Sequence, residues 1–175
     1  MKFNKLTILA FSLLFSFVCF LSCDKRISSQ TQWRLENERA FNSYADSSNF
    51  FKATLDGSNA YVYMKRLMEG TSDRNPIATS RILIHYETSF IAGKKEFIEG
   101  NFDSENPAAF SIGRSSANII TGLAIGLQNM KQGEESEIII PWYLAYGRSE
   151  NGNVPAYSAL KFHVRLDSII PEEAK

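Results

Sequence analysis

The sequence predicts an α+β domain: an antiparallel sheet with one short helix packed on it, preceded by a helical extension and an export segment. Three observations carry that prediction. Residues 160–167 alternate four apolar with four polar side chains, the period of a strand with one buried and one wet face. Within 120–130, Leu123, Leu127 and Met130 fall at i, i+4 and i+7, an apolar helical stripe that must pack on something. The first 22 residues hold Lys2, Lys5 and no acid, and the run 6–21 is apolar except for Thr7, Ser12 and Ser16. That run is short for a membrane span but suits the core of a secretory signal peptide.

The bulk numbers bound the function. A chain of 175 residues makes one domain with appendages, and 44% apolar with 22% charged side chains is ordinary for a globular protein. The formal charge is zero, so a strongly basic nucleic-acid binder is excluded. Once Lys2 and Lys5 are set aside, acidic side chains outnumber basic ones by two. The only cysteines are Cys19 and Cys23, which leaves the rest of the chain without a disulfide framework, a zinc site or a CxxC pair. No cofactor and no metal are expected.

Taken in order, the elements read as follows. Ser22 directly before Cys23 resembles the lipobox of bacterial lipoproteins, although Phe20 stands where leucine is preferred. Cleavage there would expose Cys23 for acylation and tie the protein to a membrane of the cell envelope, facing the periplasm or the exterior. Residues 24–31 are polar and Ser-rich, a tether. Residues 32–44 favour helix, with Trp33, Leu35 and Phe41 as apolar anchors. A first strand is expected over 60–68, ended by Gly70, and a loop over 71–79, where Asn75 precedes Pro76. Residues 81–86 form a strand with Ile82, Ile84 and Tyr86 on one face, which sends His85 to the opposite face and to a surface role. His163 is read in the same way. Residues 135–140 form another strand, stopped by Pro141, and Gly133 closes the helix before it. The expected organisation is a signal peptide over 1–22, a tether and helical extension over 23–59, and one domain over 60–175.

The motifs along this order are specific together. They are Ile84-His85-Tyr86 followed by Gly93-Lys94-Lys95, then Phe102-Asp103, Phe110-Ser111-Ile112-Gly113, and Ile119-Ile120-Thr121-Gly122-Leu123. Met130-Lys131-Gln132-Gly133-Glu134, Pro141 to Tyr146-Gly147, and Val154-Pro155 with Leu160-Lys161-Phe162 complete the series. In this order they resemble the FKBP-type peptidyl-prolyl cis-trans isomerases, over roughly residues 60–170. The resemblance implies the FKBP-like fold, an antiparallel sheet wrapped around one short helix. It also implies proline-containing polypeptides as substrates and binding of the family's macrolide inhibitors.

Rotation about an X-Pro bond crosses a barrier of about 18–20 kcal/mol because amide resonance is lost. No bond to the substrate need form or break, so a catalyst can act by binding the twisted amide better than either planar form. An apolar pocket for the proline ring and hydrogen bonds to the twisted amide suffice. Position by position, the resemblance implies Tyr86, Phe102, Ile119, Leu123, Val154 and Phe162 as pocket residues. Leu123 stands where many relatives carry tryptophan. It further implies Asp103, the Ile120 N–H and the Tyr146 hydroxyl as the polar groups that act on the amide. Pattern alone favours core packing for the aromatic residues Tyr86, Phe102, Phe110 and Phe162, and a turn for Asp103 beside Ser104. Phe110 matches a core position and is left out of the site. Phe97 competes with Phe102 for the pocket, and Phe102 is preferred because Asp103 follows it. Ala108 falls where many relatives have an aromatic wall, and the loop over 114–118 is longer than usual. Two functions follow: an envelope-anchored prolyl isomerase, or a catalytically weak FKBP-like chaperone or assembly module.

Overall fold

The computed structural model describes residues 28–113 and 119–170. The expected export segment, Cys23, residues 24–27 of the expected tether and the 114–118 loop lie outside the described residues.

Helix α1 (Ser29–Asn42) begins three residues before the expected start because Ser28 caps it, its hydroxyl accepting the Thr31 N–H at 3.2 Å. A 3₁₀ turn, Ser43–Asp46, closes it. Strands β1 (Phe51–Thr54), β2 (Tyr61–Met68), β3 (Arg81–Phe90), β4 (Phe97–Gly100) and β5 (Ala108–Ser111) follow. Helix α2 (Thr121–Gln128), β6 (Glu135–Ile140) and β7 (Leu160–Ile170) complete the described chain. All seven strands form one antiparallel sheet in the order β1-β2-β6-β7-β3-β4. Strand β5 pairs with the first half of β3 and β4 with its second half, so two short strands share one edge.

The sheet is covered on both faces, and β6 shows why its sequence lacks strict alternation. Ile138 and Ile140 face α2 in the larger core, whereas Ile139 joins Phe41, Tyr63, Ile91 and Ala159 beneath α1. All three isoleucines are fully buried. Helix α2 lies very close to β6: a Cβ at Gly126 would sit 2.6 Å from the Ile138 side chain, and one at Gly122 would collide with Ile140. The spacing of those glycines is a packing requirement. Leu123, Leu127 and Met130 are buried, as the apolar stripe requires.

Helix α1 is tied to the segment leading into β7. The Asn37 carboxamide oxygen accepts the Ala159 N–H at 2.8 Å, its nitrogen donates to the Trp33 carbonyl at 2.9 Å, and the Trp33 indole donates to the Ser158 hydroxyl at 3.2 Å. Trp142 donates to Glu38 at 3.2 Å. A polar residue that is fully buried mid-helix thus completes a backbone hydrogen bond elsewhere.

Three expectations are corrected. Strands β1 and β4 carry too few residues to announce themselves by pattern, and β3 runs on to Phe90. His85 is not a surface residue. The 101–106 turn folds over it: its ring lies 3.0 Å from the Ser104 carbonyl and 2.8 Å from the Asp167 carboxylate, leaving it 5% exposed.

Candidate active site

Strands present alternate residues to one face, so Tyr86 on β3 and Phe162 on β7 both point to the face that carries α2. Their rings stack with centroids 6.1 Å apart, and Phe110 from β5 meets Tyr86 edge-on at 5.9 Å. Leu123, in the first turn of α2, closes the floor at 4% exposure. Ile119 and Ile120 enter from the segment before the helix, and Tyr146 and Glu99 stand at the rim. The pocket's volume is about 40 Å³.

The polar groups around this pocket favour donors. Burial, and then the Glu99 carboxylate, raise the Tyr86 and Tyr146 phenols above their ordinary value, so both O–H groups stay protonated. The Asn151 side chain beside Tyr146 opposes that rise. Ile120 is the N-cap of α2 with extended backbone, and no side chain caps the helix. Its carbonyl accepts the Ala124 N–H at 3.1 Å, while its own N–H has no partner among the described residues. The site therefore combines an apolar cup with three donors, two phenolic and one backbone, and one carboxylate, that of Glu99, at its rim.

The structure brings together six of the nine residues implied by the resemblance: Tyr86, Ile119, Ile120, Leu123, Tyr146 and Phe162. Val154 is buried one step away and lines the adjoining cavity with Tyr146 and Glu99. The other two are elsewhere, and this is a correction. Phe102 stacks on His163 at 4.3 Å, with the Arg165 guanidinium 5.3 Å from its ring centroid. His163 is the neighbour of Phe162 on β7 and points to the opposite face, so Phe102 lies behind the sheet. Asp103 is exposed in the 101–106 turn and makes no hydrogen bond or ion pair among the described residues.

Gly100 is the physical reason. It faces Glu87 across the β3–β4 ladder so closely that a Cβ would sit 2.5 Å from the Tyr86 carbonyl and 2.7 Å from the Glu87 Cα. Past this contact, Asn101 fastens the chain to β3: its N–H donates to the Tyr86 carbonyl at 2.8 Å and its side chain accepts the Tyr86 N–H at 2.9 Å. The chain then leaves the pocket edge. The residues added ahead of Phe102 form β4, so Ile98 and Glu99 occupy the pocket edge in place of Phe102 and Asp103. Phe97 is 65% exposed and is not the pocket phenylalanine either.

Two pocket residues escaped sequence reasoning. Phe110 alternates with the pocket-facing set through its pairing with Ile82 on β3, and its pattern allowed either role. Glu99 gave no signal, because only the position of β4 turns it toward Tyr86. Among the described residues no cluster of histidine, cysteine and carboxylate side chains could hold a metal ion.

Comparison with known proteins agrees with this geometry. Residues 72–167 match the family model of the FKBP-type peptidyl-prolyl cis-trans isomerases. FK506-binding protein 1A of Neurospora crassa is 33% identical over 116 residues, 66% of this chain and 90% of that protein. The FKBP-type isomerase FkpA of Escherichia coli is 26% identical over 153 residues, 85% of this chain and 54% of that protein. The chain thus spans about half the length of the FkpA proteins it matches. The crystal structure of E. coli FkpA superimposes with a TM-score of 0.67 at 18% identity, covering 98% of this chain and 84% of that one. A peptidyl-prolyl isomerase from Pseudomonas syringae superimposes with a TM-score of 0.65 at 20% identity, over 83% of this chain and 98% of that one. At such identities the superpositions speak for the fold, and the family match over more than half the sequence speaks for descent: this chain belongs to the FKBP-type peptidyl-prolyl cis-trans isomerase family.

Proposed function

We propose that the protein is a peptidyl-prolyl cis-trans isomerase acting on polypeptides of the cell envelope. The observation that supports this best is the cup formed by Tyr86, Phe110, Leu123 and Phe162 with the Ile120 N–H and two protonated phenols at its rim. A proline ring buried there leaves water, and the amide carbonyls beside it meet donors. An amide that loses resonance becomes pyramidal and more basic at nitrogen and less negative on oxygen, so the donors that favour it are those directed at that nitrogen or at the neighbouring carbonyls. Donors placed for the twisted form lower the barrier without covalent chemistry. No carboxylic acid or nucleophile is required. Tyr86, Ile119, Leu123, Val154 and Phe162 bind, and Ile120 and Tyr146 act on the amide. The same cup is the proposed site for macrolide inhibitors of the FK506 type. The test is a protease-coupled isomerisation assay on a Leu-Pro peptide. Acceleration that a macrolide abolishes is the expected result, and an uncatalysed rate at micromolar protein would contradict it.

Two observations favour the second reading, a catalytically weak chaperone or assembly module: Phe102 and Asp103 stand away from the cup, and Leu123 offers less flat surface than tryptophan. That reading predicts peptide affinity without turnover. Localisation is part of the proposal. Cys23, following Ser22 and the apolar run 6–21, would be acylated and hold the domain at a membrane through its tether. Cys23→Ser should release the protein into the soluble fraction. Retention at the membrane at unprocessed size would mean that the apolar run is the anchor.

A further inference from the structure

A second cavity of about 250 Å³ opens beside the proline cup and shares Tyr146 and Glu99 with it. Its other walls are Thr88 and Ile98 from the β3–β4 edge, and Asn151, Asn153 and Val154 from the turn held by the Asn151–Val154 bridge. No basic side chain lines it. At its inner wall stands Thr88, 3% exposed, whose hydroxyl is buried and has no hydrogen-bond partner. A buried hydroxyl without a partner is costly, and a bound group that supplies one would remove that cost. At the mouth stands Glu99, which enters no ion pair among the described residues. Ile98 and Val154 supply its apolar surface.

We propose that this cavity is a specificity subsite for a lysine or arginine side chain flanking the substrate proline. The chemistry is that of a long cationic side chain. An aliphatic stem packs on Ile98 and Val154, while a head group that only donates hydrogen bonds meets the Thr88 hydroxyl, the Glu99 carboxylate and the carboxamide oxygens of Asn151 and Asn153. An acidic flanking residue would face Glu99 and leave its own acceptors beside another acceptor. An aliphatic one would leave the Thr88 hydroxyl unpaired. The inference rests on the proposal that the adjoining cup holds proline.

The test uses three peptide sets that differ only in the residue before or after proline: lysine, leucine or glutamate. Affinity and kcat/KM are measured for each, with turnover followed by NMR exchange so that no coupling protease imposes its own preference. In at least one of the two positions, lysine should be favoured over glutamate by roughly two- to fivefold in both quantities, the range of a partly exposed charge pair. That ratio should fall toward one as ionic strength is raised. Glu99→Gln should collapse it, and Thr88→Val should reduce the lysine-to-leucine ratio. The wild-type salt series decides the matter even if a variant does not fold. Turnover of the leucine peptide with a lysine-to-glutamate ratio of one in both positions would overturn the subsite and leave the isomerase standing. Lysine-favouring affinity without turnover of any peptide would do the reverse.

Discussion

The two faces of strand β7 carry different lessons. Phe162 and its neighbour His163 leave the backbone one residue apart, and each meets an aromatic ring. Phe162 meets Tyr86 in an apolar cup under α2, and His163 meets Phe102 on the outer face among Glu87, Glu135 and Arg165. The first face is held by regular elements: β3 and β7 pair over ten positions, and α2 is pressed onto β6 at two glycines. The second is built by a short edge strand and a turn. Motif residues on long paired strands keep their face, because a slip of one position would send a whole row of apolar side chains into water. Motif residues beyond an edge strand are free to change sides when the chain lengthens by a few residues.

That difference can be broken by substitution, and the largest effect is expected at Phe162. Phe162→Ala removes a buried ring shared by core and cup, and should cost about 3–5 kcal/mol in chemical denaturation together with all turnover. Phe102→Ala, on the other face, removes a half-buried ring and should cost only about 0.5–1.5 kcal/mol with turnover retained. Equal losses in the two variants would mean that the faces are energetically alike.

Asn37→Ala comes next. It orphans the buried Ala159 N–H where α1 meets the approach to β7, at an expected cost of about 1–3 kcal/mol. Slower hydrogen exchange at Ala159 in the variant than in wild type would contradict this. Tyr146→Phe should lower kcat/KM by roughly threefold to tenfold, the worth of one hydrogen bond of about 0.5–1.5 kcal/mol, with circular dichroism unchanged.

The smallest effect is that of pH on the two phenols. Burial raises Tyr86 and Tyr146 above 10.0 in the folded chain, so the folded state holds these protons longer than the unfolded one. Their contribution to stability is therefore complete below pH 10 and is lost as the pH climbs through their folded values. Ultraviolet titration of phenolate should show the two ionising late, and turnover should persist at pH 9. A loss of activity between pH 8 and 9 that follows phenolate formation would contradict the assignment.

The same contrast explains what was legible in the sequence. The alternation in β7, the stripe of α2 and the tyrosine strand are long, periodic signals, and the residues they carry, Tyr86, Leu123 and Phe162, line one pocket. Tyr146 followed from its loop motif, which ends at Gly147 in the left-handed conformation that glycine adopts freely. The Phe102-Asp103 pair carried the motif's letters without its context. Nothing in those two residues reveals that Gly100 packs against the β3 backbone and that Asn101 pins the chain there. Glu99 was invisible for the complementary reason: its importance comes from a four-residue strand too short to show a period. His85 lay on the outward face as read, but its burial depends on a turn that folds back from 16 or more residues away.

The central claim is that proline binds in the Tyr86–Leu123–Phe162 cup and not beside Phe102 and Asp103. The most direct measurement is an NMR titration of backbone amides with a Leu-Pro peptide. The account predicts the largest shifts at Ile119, Ile120, Leu123 and Tyr146, saturating together, with Phe102, Asp103 and Ser104 unmoved. Shifts centred on residues 101–104, with the amides at the start of α2 unchanged, would contradict it.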